Sequence, residues 1–173
     1  HDHCGVVHRD IKPDNVLLDG TNTAKLADLG ISGIMETHSF ANPQGHVGHL
    51  VYMPPEVGVS TSHREGYTTT GDVFALGLTL YEVLSGRPCF AHPGTGERLN
   101  LHALISTKMS ARTDEEMATA AFAAGWPSWV SAAIKDVVAS CVKTVPASRP
   151  KAIAVAMTLS DVRSAIQTRG AAE

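Results

Sequence analysis

The chain has 173 residues and a mass of 18.3 kDa, which corresponds to one domain at ~150 residues per domain. Apolar residues make up 43% of it and charged residues 18%, a balance that is typical of globular proteins and excludes a disordered chain. The net charge of −3 excludes a strongly basic surface for nucleic acid, and no apolar stretch reaches the ~18–20 residues of a membrane-spanning helix.

The number of cysteines bears on the cellular compartment, and the first residue bears on whether the chain is part of a longer protein. There are three cysteines, Cys4, Cys89 and Cys141, and an odd number without a close pair argues against a disulfide framework. We therefore expect an intracellular, cytoplasmic protein. The chain opens with His1 rather than Met, within sequence that has the character of a folded region, so we expect it to be part of a longer protein.

A β-hairpin is the first predicted element. Val16–Leu18 is a short apolar run, Asp19-Gly20 is a turn signal, and a second, alternating run begins at Ala24. Residues 28–56 are rich in Gly, His, Ser, Asn and Pro and show only weak periodicity, which predicts a long loop. Loops of this length inside a compact domain are usually functional.

A buried helix over residues 72–85 is predicted next, because this segment is apolar on nearly every side. The pattern Gly86-Arg87-Pro88 is typical of a helix end. We expect a surface loop over 91–98, a short helix over 100–107 and a further helical stretch within 113–124.

Two amphipathic helices are predicted in the last third of the chain. The first is expected to start at Trp126, with one face formed by Val130, Ala133, Ile134, Val137, Val138 and Cys141. The second is expected to start with Pro150 at its first position, with a stripe of Val155, Leu159, Val162 and Ile166 and a disordered tail over 169–173. We expect Trp126 and Trp129 to anchor the core. The predicted fold is mostly α, a hairpin followed by a helical bundle around a buried central helix.

Polar side chains that suit phosphoryl transfer flank the predicted hairpin. The motif His8-Arg9-Asp10-Ile11-Lys12-Pro13-Asp14-Asn15 precedes it, and Asp28-Leu29-Gly30 follows it. The hairpin would bring Asn15 and Asp28 to the same end, and an amide oxygen and a carboxylate are ligands that Mg²⁺ accepts. Asp10 and Lys12 would point the same way in extended backbone, so that one meets a hydroxyl proton while the other steadies a phosphoryl oxygen.

A series of motifs in the same order resembles the eukaryotic protein kinases. The stretch from His8 resembles the catalytic loop H-R-D-x-K-P-x-N, and Asp28-Leu29-Gly30 resembles the metal-binding D-F-G. Further matches are residues 48–56 with G-T-x-x-Y-x-A-P-E, 72–77 with D-x-W-S-x-G, 84–90 with L-x-x-G-x-x-P-F, and 141–150 with C-x-x-x-x-P-x-x-R-P. The Lys12-Pro13 pair resembles the serine/threonine branch of the family.

The resemblance implies an ATP site with a protein acceptor beside it. Asp10 would be the catalytic base or the group that orients the hydroxyl, and Lys12 would contact the γ-phosphate. Asn15 and Asp28 would hold Mg²⁺, or Mn²⁺ in its place, and Leu17 would form the floor of the adenine site. The implied partners are ATP and a protein with a Ser or Thr hydroxyl, and we expect neither a nucleic acid partner nor a membrane segment.

A second group of matching residues implies regulation and support. Arg9 would receive an activating phosphate, with Thr37 and Ser39 as the candidate acceptors. Glu56 and Arg149 would form a buried ion pair that ties down the loop. The remaining residues with expected structural or regulatory roles are His8, Leu29, Gly30, His49 and Asp72.

Three of these residues carry specific expectations. Asp72 would anchor the catalytic loop from beneath. Leu29 replaces the phenylalanine of the family motif and is expected to fill the same apolar spine. His49 replaces a threonine, and we expect a protonated His49 to pair with Asp10 and lower activity at mildly acidic pH.

The resemblance covers only the large, C-terminal lobe, as a partial kinase domain over residues 1–168. Its parts would be a catalytic loop at 8–15, an activation segment at 28–56 and a central helix at 72–85. The glycine-rich loop and strand lysine of the N-terminal lobe do not occur, so we expect that lobe in the same parent chain and an inactive fragment without it. Two alternatives stay open: a catalytically silent kinase-like binding or scaffold module, and a truncated product without independent function.

Overall fold

The computed structural model describes residues 7–29, 47–59 and 67–170, without the side chains at 47–49, 58–59 and 166–170. The described chain is mostly helical with one two-stranded sheet, which confirms the predicted fold class. The strands are β1 (Val16–Leu18) and β2 (Ala24–Leu26). The helices are α1 (Val47–Tyr52), α2 (Pro55–Val59), α3 (Thr69–Ser85), α4 (Leu101–Ser110), α5 (Asp114–Ala121), α6 (Ala132–Cys141) and α7 (Ala152–Gly170).

The predicted hairpin is confirmed. β1 and β2 pair antiparallel, with Val16 opposite Leu26. The Asp19 carboxylate closes the turn by accepting hydrogen bonds from the backbone N–H groups of Thr21 at 2.9 Å and Thr23 at 3.0 Å. The Thr21 hydroxyl and these N–H groups hold the pKa of Asp19 well below its usual range. A local hydrogen-bonded turn of this kind sets the register of the two strands.

The predicted central helix is α3, which begins at Thr69 rather than at residue 72. Phe74 and Tyr81 are fully buried in the main hydrophobic cluster. Gly86 ends the helix at φ 65°, a left-handed conformation that glycine adopts without strain, and its N–H bonds the carbonyl oxygen of Glu82 at 2.9 Å. The helix is not buried on every side, because Val83 near its end is 63% exposed.

A glycine allows α6 to approach α3 closely. A Cβ added at Gly77 would lie 2.6 Å from Cβ of Cys141 and 3.2 Å from the carbonyl oxygen of Val138. Cys141 then shares a second buried cluster with Val73 of α3 and Val155 of α7. α6 therefore packs against both α3 and α7.

Two short helices lie in a segment that the sequence predicts to be a loop. α1 and α2 occupy the end of residues 28–56, so the prediction of a loop over that whole range is wrong there. Helices of five or six residues are too short to show a hydrophobic period and are unstable in isolation. Contacts from distant residues must therefore stabilise them.

The helix predicted from Trp126 begins later. α6 starts at Ala132, where the Ser131 side chain caps it, so the predicted start is wrong. Trp126 packs against the main cluster as predicted. Trp129 lies in the turn before the cap and is 66% exposed, so its predicted role as a core anchor is wrong. Ala133 is also exposed, although it was assigned to the buried face.

The start of the last helix also differs from the prediction. α7 begins at Ala152, so Pro150 precedes the helix instead of occupying its first position. The predicted stripe is buried or half-buried where its side chains are described: Val155, Leu159 and Val162. Residues 169 and 170 are helical where a tail was predicted, and 171–173 lie outside the described residues.

The remaining predictions between α3 and α6 are confirmed. Residues 91–98 form a surface loop closed by a bridge between Ala91 and Arg98. The Asn100 side chain caps α4, and Thr113 begins α5 with a capping box.

Among the described residues, none of the helices combines the length and the apolar composition that crossing a bilayer requires.

Candidate active site

Asp72, near the start of α3, binds the backbone of the loop formed by residues 8–15. Its carboxylate oxygens accept hydrogen bonds from the N–H groups of His8 at 2.7 Å and Arg9 at 2.8 Å. Arg9 has a φ of 69°, which a residue other than glycine adopts only when its surroundings support it. The two hydrogen bonds from His8 and Arg9 are the anchoring contact expected of Asp72. Burial, followed by the charge of Asp72, raises the pKa of the neighbouring Tyr67 above its usual range.

The buried carboxylate of Asp10 is the centre of the site. Lys12 donates from Nζ to Oδ2 of Asp10 at 2.7 Å, and Asn15 donates from Nδ2 to the same oxygen at 2.9 Å. Asn15 also donates to the main-chain oxygen of Asp10 at 2.8 Å. Asp10 is only 5% exposed, so these are charge-assisted hydrogen bonds partly shielded from water. The fold thus brings together three residues that the sequence nominates for chemistry.

A 3₁₀ turn at Pro13–Asn15 returns Asn15 to Asp10. Lys12 precedes this turn in an extended conformation, and Pro13 occupies its first position. The N–H of Asn15 closes the turn on the carbonyl oxygen of Lys12 at 3.0 Å. The lysine and amide side chains therefore reach one carboxylate oxygen from residues only three apart in the chain.

His8 joins this loop to the far end of the hairpin. Its buried ring accepts the N–H of Asp10 at Nδ1, at 3.3 Å, and Nε2 lies 3.0 Å from the carbonyl oxygen of Ala27. A backbone N–H can only donate and a carbonyl can only accept, so both contacts require the neutral ring with its proton on Nε2. The neutral imidazole therefore connects Asp10 to the residue that precedes Asp28.

Asn15 and Asp28 lie at the same end of the hairpin, as predicted. The N–H of Ala27 bonds the carbonyl oxygen of Asn15 at 2.8 Å, and Asp28 is the next residue, exposed and with a φ of 63°. Asn15 uses its amide nitrogen for both bonds to Asp10, so its amide oxygen takes no part in them.

The donor set at this end of the hairpin fits Mg²⁺. An amide oxygen and a carboxylate are hard ligands, and Mg²⁺ commonly keeps several waters and substrate phosphate oxygens in its shell. Within the described part of the chain, no group of three or more His, Cys, Asp or Glu side chains is arranged for a metal. An amide oxygen and one carboxylate leave room in the shell of such an ion for water and phosphate oxygens.

The side chain of Arg9 has an unpaired buried donor. Its Nε is the one buried side-chain nitrogen or oxygen atom without a hydrogen-bond partner among the described residues. Such a group costs about 1–3 kcal/mol when it is left unpaired. A cationic side chain with an unpaired donor suits an anion, which is the kind of partner that the family resemblance implies for Arg9.

The predicted ion pair between Glu56 and Arg149 is present. Arg149 Nη1 and Nη2 donate to the two carboxylate oxygens of Glu56 at 2.6 and 2.8 Å. The pair ties α2 to the end of the helical bundle, and the Arg149 side chain has no exposed surface.

The leucines around the hairpin are exposed rather than buried. Leu17 is 56% exposed and therefore accessible to a ligand, as its predicted role requires. Leu29 is 61% exposed, and its expected place in an apolar spine stays a prediction. Asp28, which precedes it, has a left-handed backbone with a φ of 63°.

Several predicted site residues are not described by the structure. Gly30, Thr37 and Ser39 lie outside the described residues, and only the backbone of His49 is described, within α1. Their roles stay predictions.

The sequence analysis missed Lys108 of α4. Its Nζ donates to the carbonyl oxygens of Leu50 at 2.9 Å, Val51 at 2.5 Å and Met53 at 2.8 Å. Leu104, one turn earlier, is buried, so position 108 falls on the core face of α4. A lysine at a core position of an amphipathic helix is the signal that identifies it.

Comparison with known proteins agrees with this geometry. The protein kinase domain family matches residues 1–159. The G2-specific protein kinase nimA of Emericella nidulans is 33% identical over 145 residues, which are 84% of this chain and 18% of nimA. MAP kinase kinase mkk-4 of Caenorhabditis elegans is 43% identical over 82 residues, which are 47% of this chain and 21% of mkk-4. The serine/threonine-protein kinase Pkn1 of Myxococcus xanthus is 36% identical over 104 residues, which are 58% of this chain and 15% of Pkn1.

The helical bundle, the anchored loop at 8–15 and the hairpin are the parts of a kinase large lobe, and the chain belongs to the protein kinase family. It spans about a fifth or less of the length of these three relatives.

Proposed function

We propose that this chain carries the catalytic residues of a serine/threonine protein kinase, which transfers the γ-phosphoryl group of ATP to a protein Ser or Thr hydroxyl. The observation that carries this proposal is the convergence of Lys12 and Asn15 on Oδ2 of Asp10, at 2.7 and 2.9 Å. The Lys12-Pro13 pair and the similarity to the serine/threonine-protein kinase Pkn1 support the choice of acceptor.

Asp10 and Lys12 divide the chemistry of the transfer. The carboxylate of Asp10 accepts the hydroxyl proton and orients the attacking oxygen. The Lys12 side chain is 23% exposed, so its ammonium can leave Asp10 and donate to an oxygen of the transferred group. Phosphoryl transfer requires positioning and charge neutralisation more than covalent chemistry, and a buried carboxylate beside a partly exposed cation supplies both.

Asn15 and Asp28 would hold Mg²⁺, with Mn²⁺ as a chemical substitute. When bound, the ion would neutralise charge on the phosphate oxygens. Asn15 has a second task, because its amide nitrogen fixes the Asp10 carboxylate through two hydrogen bonds. The same side chain therefore orients the proposed base and offers an oxygen to the metal.

The exposed leucines of the hairpin support the proposal that ATP and a further part of the protein pack against this surface. Leu17, Leu18 and Leu26 are 56%, 66% and 44% exposed. Leu17 would contact the adenine ring, and an N-terminal lobe in the same protein would cover the others. On this proposal residues 1–173 alone give little or no turnover, since ATP would lack its cover.

A substitution of Asp10 in the full-length protein tests this function. The assay follows transfer from radiolabelled ATP to a mixed Ser/Thr peptide substrate, with identification of the phosphorylated amino acid. Asp10→Asn should lower kcat about 10²–10⁴-fold, the typical contribution of a general base. Asp136→Asn, an exposed carboxylate on α6, is the matched control and should keep full activity. A folded wild-type protein without transfer would favour the silent binding module, and equal rates for wild type and Asp10→Asn would refute the assigned base.

A further inference from the structure

Lys108 is a buried cation that the proposed function does not use. The residue is only 7% exposed, and its side chain spans from α4 to the main chain at residues 50–53. These residues form the end of α1 and the turn that leads into α2. Lysine is rarely this buried unless its ammonium has dedicated partners.

The three carbonyl oxygens match the three donors of an ammonium. The last carbonyls of a helix have no partner within the helix, and a cation at that end is favourable. Lys108 bonds the carbonyls of Leu50, Val51 and Met53 at 2.9, 2.5 and 2.8 Å. A neutral amine has only two N–H groups, so only the charged form satisfies all three oxygens.

Two aromatic rings and two ionisable groups surround this ammonium. Lys108 Nζ lies 4.8 Å from the ring centroid of Phe90 and 5.7 Å from that of Phe74, which favours the charged form. Burial lowers the pKa of Lys108 to about 7, while Cys89 beyond α3 and Glu56 of α2 act in the opposite direction. Burial also raises the pKa of the Cys89 thiol. The carbonyl bonds and the two rings thus stabilise the ammonium against the effect of burial.

The segment that Lys108 binds is continuous with the proposed active site. Val51 and Tyr52 belong to the same buried cluster as Ile11, the residue that follows Asp10. The Tyr52 hydroxyl also donates to Glu82 at 2.6 Å, which fixes the segment against α3. Residues 50–53 and the residue that follows Asp10 therefore belong to one closely packed cluster.

We propose that Lys108 is a positioning residue for phosphoryl transfer, because its three hydrogen bonds hold residues 50–53 in the buried cluster that also contains Ile11, the neighbour of Asp10. This inference rests on the proposed function. Lys108 acts through the main chain and the core, without touching the substrate, and the proposal predicts that loss of its hydrogen bonds disorders residues 50–53 first.

The experiment compares Lys108→Met, Lys108→Arg and the control Lys151→Met in the full-length protein. Lys151 is exposed and precedes α7, far along the chain from the site. Lys108→Met should lower kcat/KM about 10- to 100-fold, as expected for a small misplacement of catalytic groups, and speed amide hydrogen exchange at residues 50–53. Lys108→Arg keeps a cationic side chain with several N–H donors, so it should retain most of the transfer that Lys108→Met loses.

The outcomes separate this inference from the proposed function. No transfer by a folded wild-type protein would refute the kinase function, while faster exchange at 50–53 in Lys108→Met would still support the tether. The inference would be overturned if the wild type is active and Lys108→Met has a kcat/KM within twofold of the wild-type value. If Lys108→Met does not fold, Lys108→Gln, which keeps two N–H donors on a shorter side chain, replaces it: faster exchange at residues 50–53 together with a lower kcat/KM would support the inference, and an unchanged value of either would overturn it.

Discussion

Arg149 and Glu56 form a bidentate ion pair between residues 93 positions apart in the chain, with N···O distances of 2.6 and 2.8 Å. The other donors of Arg149 are also engaged, since Nε bonds the carbonyl of Lys143 at 2.9 Å and Nη1 bonds that of Thr70 at 3.1 Å. The guanidinium lies 4.9 Å from the ring centroid of Phe74. One side chain therefore joins α2, the start of α3 and the turn before α7.

Loss of this arginine should strongly destabilise the fold. Arg149→Met leaves the Glu56 carboxylate partly buried without its partner, so we expect the free energy of unfolding to fall by about 3–5 kcal/mol. Urea unfolding followed by tryptophan fluorescence measures the change. Arg163→Met, an exposed position on α7, is the control. A loss for Arg149→Met no larger than for this control would contradict the assignment.

A methyl group at Gly77 should separate α3 from α6. The added Cβ would lie 2.6 Å from Cβ of Cys141, and we expect overpacking to cost about 1–3 kcal/mol of stability. Gly20→Ala is the matched control, because its added Cβ would meet nothing within 4 Å. Thermal unfolding of the two variants gives the comparison. Equal melting temperatures would mean that the helices do not approach as closely as described.

Removal of the Asp72 charge should release the loop that carries Asp10. Asp72→Asn keeps one good acceptor for the N–H groups of His8 and Arg9 and loses the charge-assisted character of both bonds. We expect a loss of about 1.5–3 kcal/mol and faster amide exchange at residues 8 and 9. Asp161→Asn on the exposed side of α7 should show neither effect. Unchanged exchange at residues 8 and 9 in Asp72→Asn would exclude the anchoring role.

The buried ammonium of Lys108 should make stability depend on alkaline pH. Its pKa is about 7 in the folded state against an ordinary value of 10.5, so between these values the unfolded chain binds more protons than the folded one. The free energy of unfolding therefore rises with pH across this window. The contribution of Lys108 is fully present above the window and is lost as the pH falls to about 7. Urea unfolding of wild type and Lys108→Met at several pH values measures this effect as the difference between their free energies of unfolding. A difference that stays constant from pH 7 to 10 would contradict the lowered pKa.

Local patterns predict the elements whose partners lie nearby in the sequence. The turn at Asp19 sets the hairpin, Gly86 ends α3, and Asp10, Lys12 and Asn15 meet within one short loop. Each of these features depends on residues only a few positions apart. Sequence reasoning therefore reaches the centre of the candidate site.

The features that were missed depend on contacts between distant residues. α1 and α2 are too short to show periodicity, and they are held by Lys108 and Arg149 from far along the chain. The start of α6 is an exception, because it depends on the local cap at Ser131 and not on a distant contact. The left-handed backbone at Asp28 is a further feature that no local pattern indicates.

The central claim is that Asn15 and Asp28 hold a divalent ion beside Asp10, and the magnesium dependence of phosphoryl transfer tests it most directly. Transfer from radiolabelled ATP is measured in the full-length wild type, Asp28→Asn and the control Asp161→Asn over a range of Mg²⁺ concentrations. We predict that Asp28→Asn loses transfer at low Mg²⁺ and recovers at best partly at high Mg²⁺, while the control follows the wild type. Superimposable magnesium curves for wild type and Asp28→Asn would contradict the metal site and the enzymatic role built on it.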